Sequence, residues 1–134
     1  LEFDDETERF LNDISGEVSG LCLDTGHLLY SGVQPDSGIR RYAERLDYLH
    51  FKDINADIYA KAVNAHMGFF EACLEGVMCP VGSGRVDYDA VRLALESVDY
   101  RGWITVEQER DPLLSEGTLQ DLGKSYGYLT GLGL

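Results

Sequence analysis

Three short apolar runs in this chain each stop at a residue able to hold a metal ion: 20–23 before Asp24, Tyr48-Leu49 before His50, and 103–106 before Glu107. Segments with helical patterning separate the runs. That alternation specifies parallel strands joined by helical crossovers, because parallel neighbours cannot be linked by a tight hairpin. In parallel α/β folds the C-terminal ends of the strands open on one face, so residues distant in sequence meet there. An Asp, a His and a Glu at three successive strand ends can therefore share one divalent ion.

The remaining segments fill in the order of elements. Phe3, Phe10, Leu11 and Ile14 fall at helical spacing behind the acidic turn Asp4-Asp5-Glu6, which predicts an amphipathic helix over 4–14. Pro35-Asp36-Ser37 starts a second helix carrying Ile39, Tyr42, Ala43 and Leu46, and a strand follows over about 47–52. The spacing predicts one helix over 58–74, closed by Gly76. That insertion is longer than an ordinary strand-to-helix loop and is placed to cover a substrate as a lid. Pro80, Gly82 and Gly84 make a turn, and Asp87 or Asp89 can cap a helix through Val91, Leu93, Leu95 and Val98. A closing helix over 117–132 puts Leu119, Leu122, Tyr126 and Leu129 on one side, weakened by Gly123 and Gly127.

Three parallel strands cannot close a barrel, and a complete (β/α)8 barrel takes about 250 residues. The order of elements suits the last portion of such a barrel, entered just after its fifth strand. The expected fold class is thus α/β, the C-terminal portion of a TIM barrel, with residues 1–134 as a single partial domain.

Composition removes several function classes. A net charge of -13 supplies no basic stripe to neutralise phosphates, which argues against nucleic acid as a partner. No apolar run approaches the roughly 18 residues of a membrane span, and no secretory leader is expected. Cys22, Cys73 and Cys79 form no CxxC pair, which fits free thiols in or near the core of a cytoplasmic protein.

Singly, an Asp after a strand is usually a cap and a lone His a satisfied polar residue; the weight lies on the three together. Their oxygen and imidazole donors suit Mn²⁺, Co²⁺, Mg²⁺ or Zn²⁺. Such an ion can clamp a carbonyl and the adjacent hydroxyl of a sugar-like substrate and acidify the C–H between them. His27, three residues beyond Asp24 across a tight turn at Gly26, can be a second ligand, a substrate contact or a proton shuttle. Strand alternation aims Lys52 to the same side as His50, where an ammonium can stabilise an enolate oxygen. Glu109 shares the parity of Glu107 and competes with it for the ligand role; Glu107 is preferred because it comes first after the apolar run. Gly82-Ser83-Gly84-Arg85 lacks the Gly-Lys-Ser/Thr of a P-loop and reads as a turn, with Arg85 able to reach an anionic or polyol substrate. His66 reads as a lid or core residue, and Arg40 and Arg41 as a solvated helix face.

Taken in order, four motifs carry a family resemblance. They are Leu23-Asp24-Thr25-Gly26-His27, Leu49-His50-Phe51-Lys52-Asp53, Val81-Gly82-Ser83-Gly84-Arg85-Val86-Asp87, and Gly102-Trp103-Ile104-Thr105-Val106-Glu107-Gln108-Glu109 with Asp111-Pro112. The chain resembles the C-terminal half of the xylose-isomerase-like TIM-barrel superfamily, and within it the inosose dehydratase branch, whose insertion Ala65-His66-Met67-Gly68-Phe69-Phe70 is similar to. The resemblance implies a metal held by Glu, Asp, His and Glu from four consecutive strands. Asp24, His50 and Glu107 match the last three, and the first Glu has no counterpart here. It implies Mn²⁺ or Co²⁺ as the ion, and Glu107, His27 and Lys52 as catalytic groups. His27, Lys52 and Arg85 are the implied contacts to a small polyol ketone such as 2-keto-myo-inositol. The implied activity is a metal-dependent lyase; a divalent-metal sugar isomerase or epimerase uses the same residues, and a truncated non-catalytic binding module is the contrasting class. A homo-oligomer, or a partner supplying the missing N-terminal half-barrel, would complete the assembly.

Overall fold

The computed structural model describes every residue except Leu1, Glu2, Pro112 and Leu114, so Pro112 of the Asp111-Pro112 motif lies outside the described residues. The chain begins α1 (Asp4–Asp13), β1 (Leu21–Asp24), α2 (Thr25–Tyr30), α3 (Pro35–Arg41), a 3-10 turn (Ala43–Arg45) and β2 (Leu46–Phe51). It continues β3 (Asp53–Ile54), α4 (Ala56–Ala65), α5 (Phe69–Leu74), β4 (Met78–Cys79), α6 (Tyr88–Ser97), β5 (Trp103–Val106) and α7 (Thr118–Leu132).

β1, β2 and β5 form one parallel sheet in that order, so the three apolar runs are indeed neighbours. Asp24 pairs with His50, and His50 with Thr105, which brings the ends of the three strands level. The ladder runs one step further, where Glu107 N–H donates to the carbonyl of Phe51 at 3.0 Å. Leu23, Leu49 and Phe51 are buried together with Ile39, Val91 and Ala94 of α3 and α6, which gives the sheet its core. The fold is therefore the expected α/β partial barrel. Its sheet is covered unevenly: Trp103 on β5 is 79% exposed, and the outer edges of β1 and β5 pair with no other strand among the described residues.

Four expectations need correction. The Asp24-Thr25-Gly26-His27 segment is not a tight turn but the start of α2, because Asp24 Oδ1 accepts the His27 N–H at 2.9 Å and caps the helix. Gly26 serves close approach: a Cβ there would sit 2.6 Å from Cβ of Lys52. The single helix expected over 58–74 is two helices, α4 and α5, broken where His66 takes a left-handed conformation (φ 53°) ahead of Gly68. The apolar periodicity survives that break, so periodicity could not reveal it. In α7 the inward face carries Ser125 and Leu129, whereas Leu119 and Tyr126 are 85% and 71% exposed. A tertiary contact turns the helix: Ser125 Oγ accepts the buried Val81 N–H at 3.0 Å. Finally, Cys22 is exposed rather than near the core, while Cys73 and Cys79 are half-buried and all three thiols are free.

The short antiparallel pair β3–β4 was not expected; it matches Asp53 with Cys79 and Ile54 with Met78. Its organiser is Asp53, fully buried, whose carboxylate accepts backbone N–H bonds from Ile54 (2.8 Å), Gly82 (3.0 Å), Gly84 (2.9 Å) and Val86 (2.9 Å). The turn at 82–86 is thus wrapped around one carboxylate. Gly84 is required for this contact, since a Cβ would lie 2.3 Å from Asp53 Oδ1 and 2.5 Å from the Ile54 carbonyl oxygen. Asp87 rather than Asp89 then caps α6, accepting the Ala90 N–H at 2.9 Å.

Burial sets the thiols apart chemically. It pushes Cys79, beside Asp53, up to about 12 and Cys73, beside Glu109, up to about 11. At pH 8 a thiol with pKa near 12 is thiolate in only about one part in ten thousand. Iodoacetamide should therefore alkylate exposed Cys22 first in the native protein and Cys79 last, as read by peptide mass spectrometry. Equal rates at Cys22 and Cys79 would contradict this burial order.

Candidate metal centre

The backbone around Lys52 is the framework of the site. β2 ends at Phe51 and β3 begins at Asp53, so Lys52 sits at the break between the two strands. Thr25, fully buried, holds it from both sides: its Oγ1 accepts the Lys52 N–H at 2.9 Å and donates to the Lys52 carbonyl at 2.8 Å. Buried Tyr88 donates to the same carbonyl at 2.9 Å. Neither Thr25 nor Tyr88 stood out in the sequence, because a hydroxyl aimed at a distant backbone leaves no local pattern.

On this frame the three strand-end residues converge. Single ligand atoms of Asp24, His50 and Glu107 lie within 4.8 Å of one another. His50 Nδ1 is 3.6 Å from Asp24 Oδ2 and 3.5 Å from Glu107 Oε2, and its ring meets Tyr48 edge-on at 5.7 Å. The two carboxylate oxygens of Asp24 have separate tasks. Oδ1 caps α2, while Oδ2 is buried and accepts no aligned hydrogen bond, although Lys52 Nζ lies 3.1 Å away. A buried carboxylate oxygen with no aligned hydrogen bond, facing an imidazole nitrogen and a second carboxylate, is a donor set suited to a divalent cation.

Lys52 is the electrostatic hub. Its side chain is 3% exposed, with Nζ 2.8 Å from Glu107 Oε2, 2.8 Å from Glu109 Oε1 and 3.1 Å from His27 Nε2. Burial works against its charge, but Glu107, Glu109 and Asp24 outweigh it and hold the ammonium above its usual pKa. The hydrogen bond from Lys52 in turn keeps the Glu107 carboxyl below its ordinary value against the opposing effect of burial. Lys52 therefore stands where strand alternation placed it. Glu109, weighed against Glu107 in the sequence, turns instead toward Lys52 and His27, the latter at 3.7 Å.

His27 opens the cluster toward an aromatic row. Its ring lies 5.2 Å from Phe69, which meets Tyr30 at 5.2 Å, and Tyr30 meets Tyr59 at 5.4 Å. Arg85 stands at the far end of that row, its guanidinium 5.1 Å from the Tyr59 ring centroid, and not within the carboxylate cluster. A cavity of about 540 Å³ lies alongside, lined by Asp24, His27, Leu28, Tyr30, Phe69 and Phe70 among others. α5 thus supplies a wall to this cavity through Phe69 and Phe70. His66, by contrast, is exposed at the end of α4, and Arg40 and Arg41 pair on the surface with Asp36 and Asp4.

Residues 4–128 match the xylose isomerase-like TIM barrel family. The chain belongs to that family. Among curated relatives, it is 37% identical over 112 residues to the rhizopine catabolism protein MocC of Rhizobium meliloti, covering 84% of this chain and 34% of that protein. It is 35% identical over 111 residues to an inosose dehydratase of Clostridium beijerinckii, covering 83% of this chain and 37% of that enzyme. A crystal structure of the IOLI protein with a bound zinc atom superimposes with a TM-score of 0.69 at 16% identity, over 98% of this chain and 44% of that one. The chain therefore spans little more than a third of the length of these curated relatives. Among the described residues no helix is long and apolar enough to cross a membrane.

Proposed function

We propose that the whole protein is a divalent-metal lyase that dehydrates 2-keto-myo-inositol or a related cyclic polyol ketone. The observation that carries this reading is the convergence of Asp24, His50 and Glu107 beside the buried ammonium of Lys52, with Asp24 Oδ2 in no aligned hydrogen bond. The bound zinc of the IOLI structure supports the metal, and the inosose dehydratase relative supports the substrate class. Mn²⁺ or Co²⁺ is the proposed ion, with Mg²⁺ and Zn²⁺ compatible with the same donors.

A divalent ion bound there supplies polarisation of the ketone and greater acidity of the neighbouring C–H. Glu107, whose side chain is partly exposed, takes the α-proton, the pair of electrons passes to the ketone oxygen, and the enolate then expels the β-hydroxyl. Lys52 donates to the developing enolate oxygen, and His27, on the cavity side, delivers the proton with which the hydroxyl departs as water. Phe69, Phe70 and Tyr30 exclude water from the apolar face of the ring, and Arg85 orients a hydroxyl from the end of the aromatic row. Asp24, His50 and Glu107 are three of four ligands in this reading. The fourth comes with further parallel strands that pair with the open edges of β1 and β5, from the rest of the protein or from a second copy. The ligand is a small molecule rather than nucleic acid or membrane, and the free thiols support a cytoplasmic setting.

The whole protein incubated with 2-keto-myo-inositol and Mn²⁺ or Co²⁺ is expected to form the unsaturated dione, followed by ultraviolet absorbance. Epimerisation of a ketose without dione would reassign it as an isomerase or epimerase. Turnover of neither would leave a binding module.

A further inference from the structure

The ligand cluster carries its own cation. Lys52 Nζ lies against Asp24 Oδ2 and Glu107 Oε2 at 3.1 and 2.8 Å, the same two oxygens that His50 Nδ1 faces. An ion held by Asp24, His50 and Glu107 needs the lone pairs of those oxygens, and an ammonium at hydrogen-bond distance both competes for them and repels the ion. An ammonium also has only three protons. Four acceptors crowd this one: its hydrogen bonds go to Glu109 Oε1 and His27 Nε2, while Asp24 Oδ2 and Glu107 Oε2 face it as ion-pair partners. Three carboxylates against one ammonium leave the cluster two negative charges in excess, which a divalent ion would balance. Without Lys52, those carboxylates would face one another unscreened.

We propose that Lys52 is the internal counter-cation of the ligand set, and that Glu109 receives its ammonium when a divalent ion takes Asp24, His50 and Glu107. The inference rests on the metal reading above and goes beyond it by giving Glu109 a task. Glu109 Oε1 at 2.8 Å and His27 Nε2 at 3.1 Å are already in contact with Nζ, so the transfer needs only a small swing of the side-chain tip. The backbone of Lys52 cannot follow, because Thr25 and Tyr88 clamp it. Glu109 is thus a positioning residue for the metal: it keeps the displaced ammonium paired, and a displaced buried ammonium without a partner would oppose binding.

Calorimetric titration of Mn²⁺ into the full chain tests this with four proteins: wild type, Lys52→Met, Glu109→Gln and the double variant. Lys52→Met should bind Mn²⁺ about tenfold more tightly, and Glu109→Gln about fivefold more weakly, the scale of coupling between contacting groups. In the Lys52→Met background, Glu109→Gln should change affinity by less than about twofold, because there is no ammonium left to receive. Additive effects would show that Glu109 acts only through its charge and would overturn the transfer. So would equal or weaker binding by Lys52→Met. Should Lys52→Met melt early by circular dichroism, Lys52→Gln carries the same comparison. A wild type that takes up no Mn²⁺ overturns the metal reading itself, whereas wild-type binding with no gain in either Lys52 variant overturns only the counter-cation.

Discussion

Asp53→Ala is expected to lower stability by about 3–5 kcal/mol, because it strands four backbone N–H groups that each cost roughly 1 kcal/mol or more when buried without an acceptor. Those donors are Ile54, Gly82, Gly84 and Val86, all within 3.0 Å of the carboxylate. The loss corresponds to roughly 10–20 °C in melting temperature for a domain of this size. Asp53→Asn should recover less than half of it, since the amide turns an N–H₂ toward donors that need an oxygen. Gly84→Ala should destabilise by the same route, forcing apart the close approach of Gly84 to Asp53 and Ile54. Thermal unfolding by circular dichroism measures all three, and a wild-type midpoint for Asp53→Ala would mean that the 82–86 turn is held by other contacts. Lys52 is the residue next to Asp53, so a loosened turn should also weaken the site from behind.

His50→Ala should weaken Mn²⁺ binding by more than the roughly 10–100-fold that loss of an outer partner of a metal ligand costs, since it removes the only nitrogen of the ligand set. Glu107→Ala should do the same and abolish lyase turnover, because it deletes a ligand and the proton-accepting carboxylate together. Neither change should greatly affect folding: the side chains of His50 and Glu107 are 28% and 36% exposed and lie outside the hydrophobic core. Calorimetry with Mn²⁺ and dione formation read the two effects separately. Wild-type affinity in His50→Ala would remove His50 from the site.

Much of the site was legible in the chain itself, and for a definite reason. A parallel strand buried on its core face reads as a short apolar run, and the residue just beyond the run lies at the open end of the sheet, so Asp24, His50 and Glu107 could be found by position alone. Lys52 followed from strand alternation. The helices were less legible wherever tertiary contacts overrode local pattern. The tight turn expected at Gly26 is instead the first turn of α2, fixed by the capping bond from the His27 N–H to Asp24 Oδ1. Cys22 has the composition of a core residue, yet on β1 it alternates with buried Leu23 and is exposed. Leu119 and Tyr126 satisfied an amphipathic stripe, but the N–H of Val81 required Ser125 inward.

The sequence by itself determined the order of strands and helices and placed Asp24, His50 and a glutamate at three successive strand ends, because hydrophobic periodicity and strand polarity are local properties. Only the tertiary structure decided how the charges are shared. Whether Glu107 or Glu109 faces Asp24 and His50, which oxygen of Asp24 turns toward them, and where the ammonium of Lys52 rests depend on separations of a few ångströms between residues up to 85 positions apart. Electrostatic interaction varies steeply over such distances, and no pattern along the chain records them.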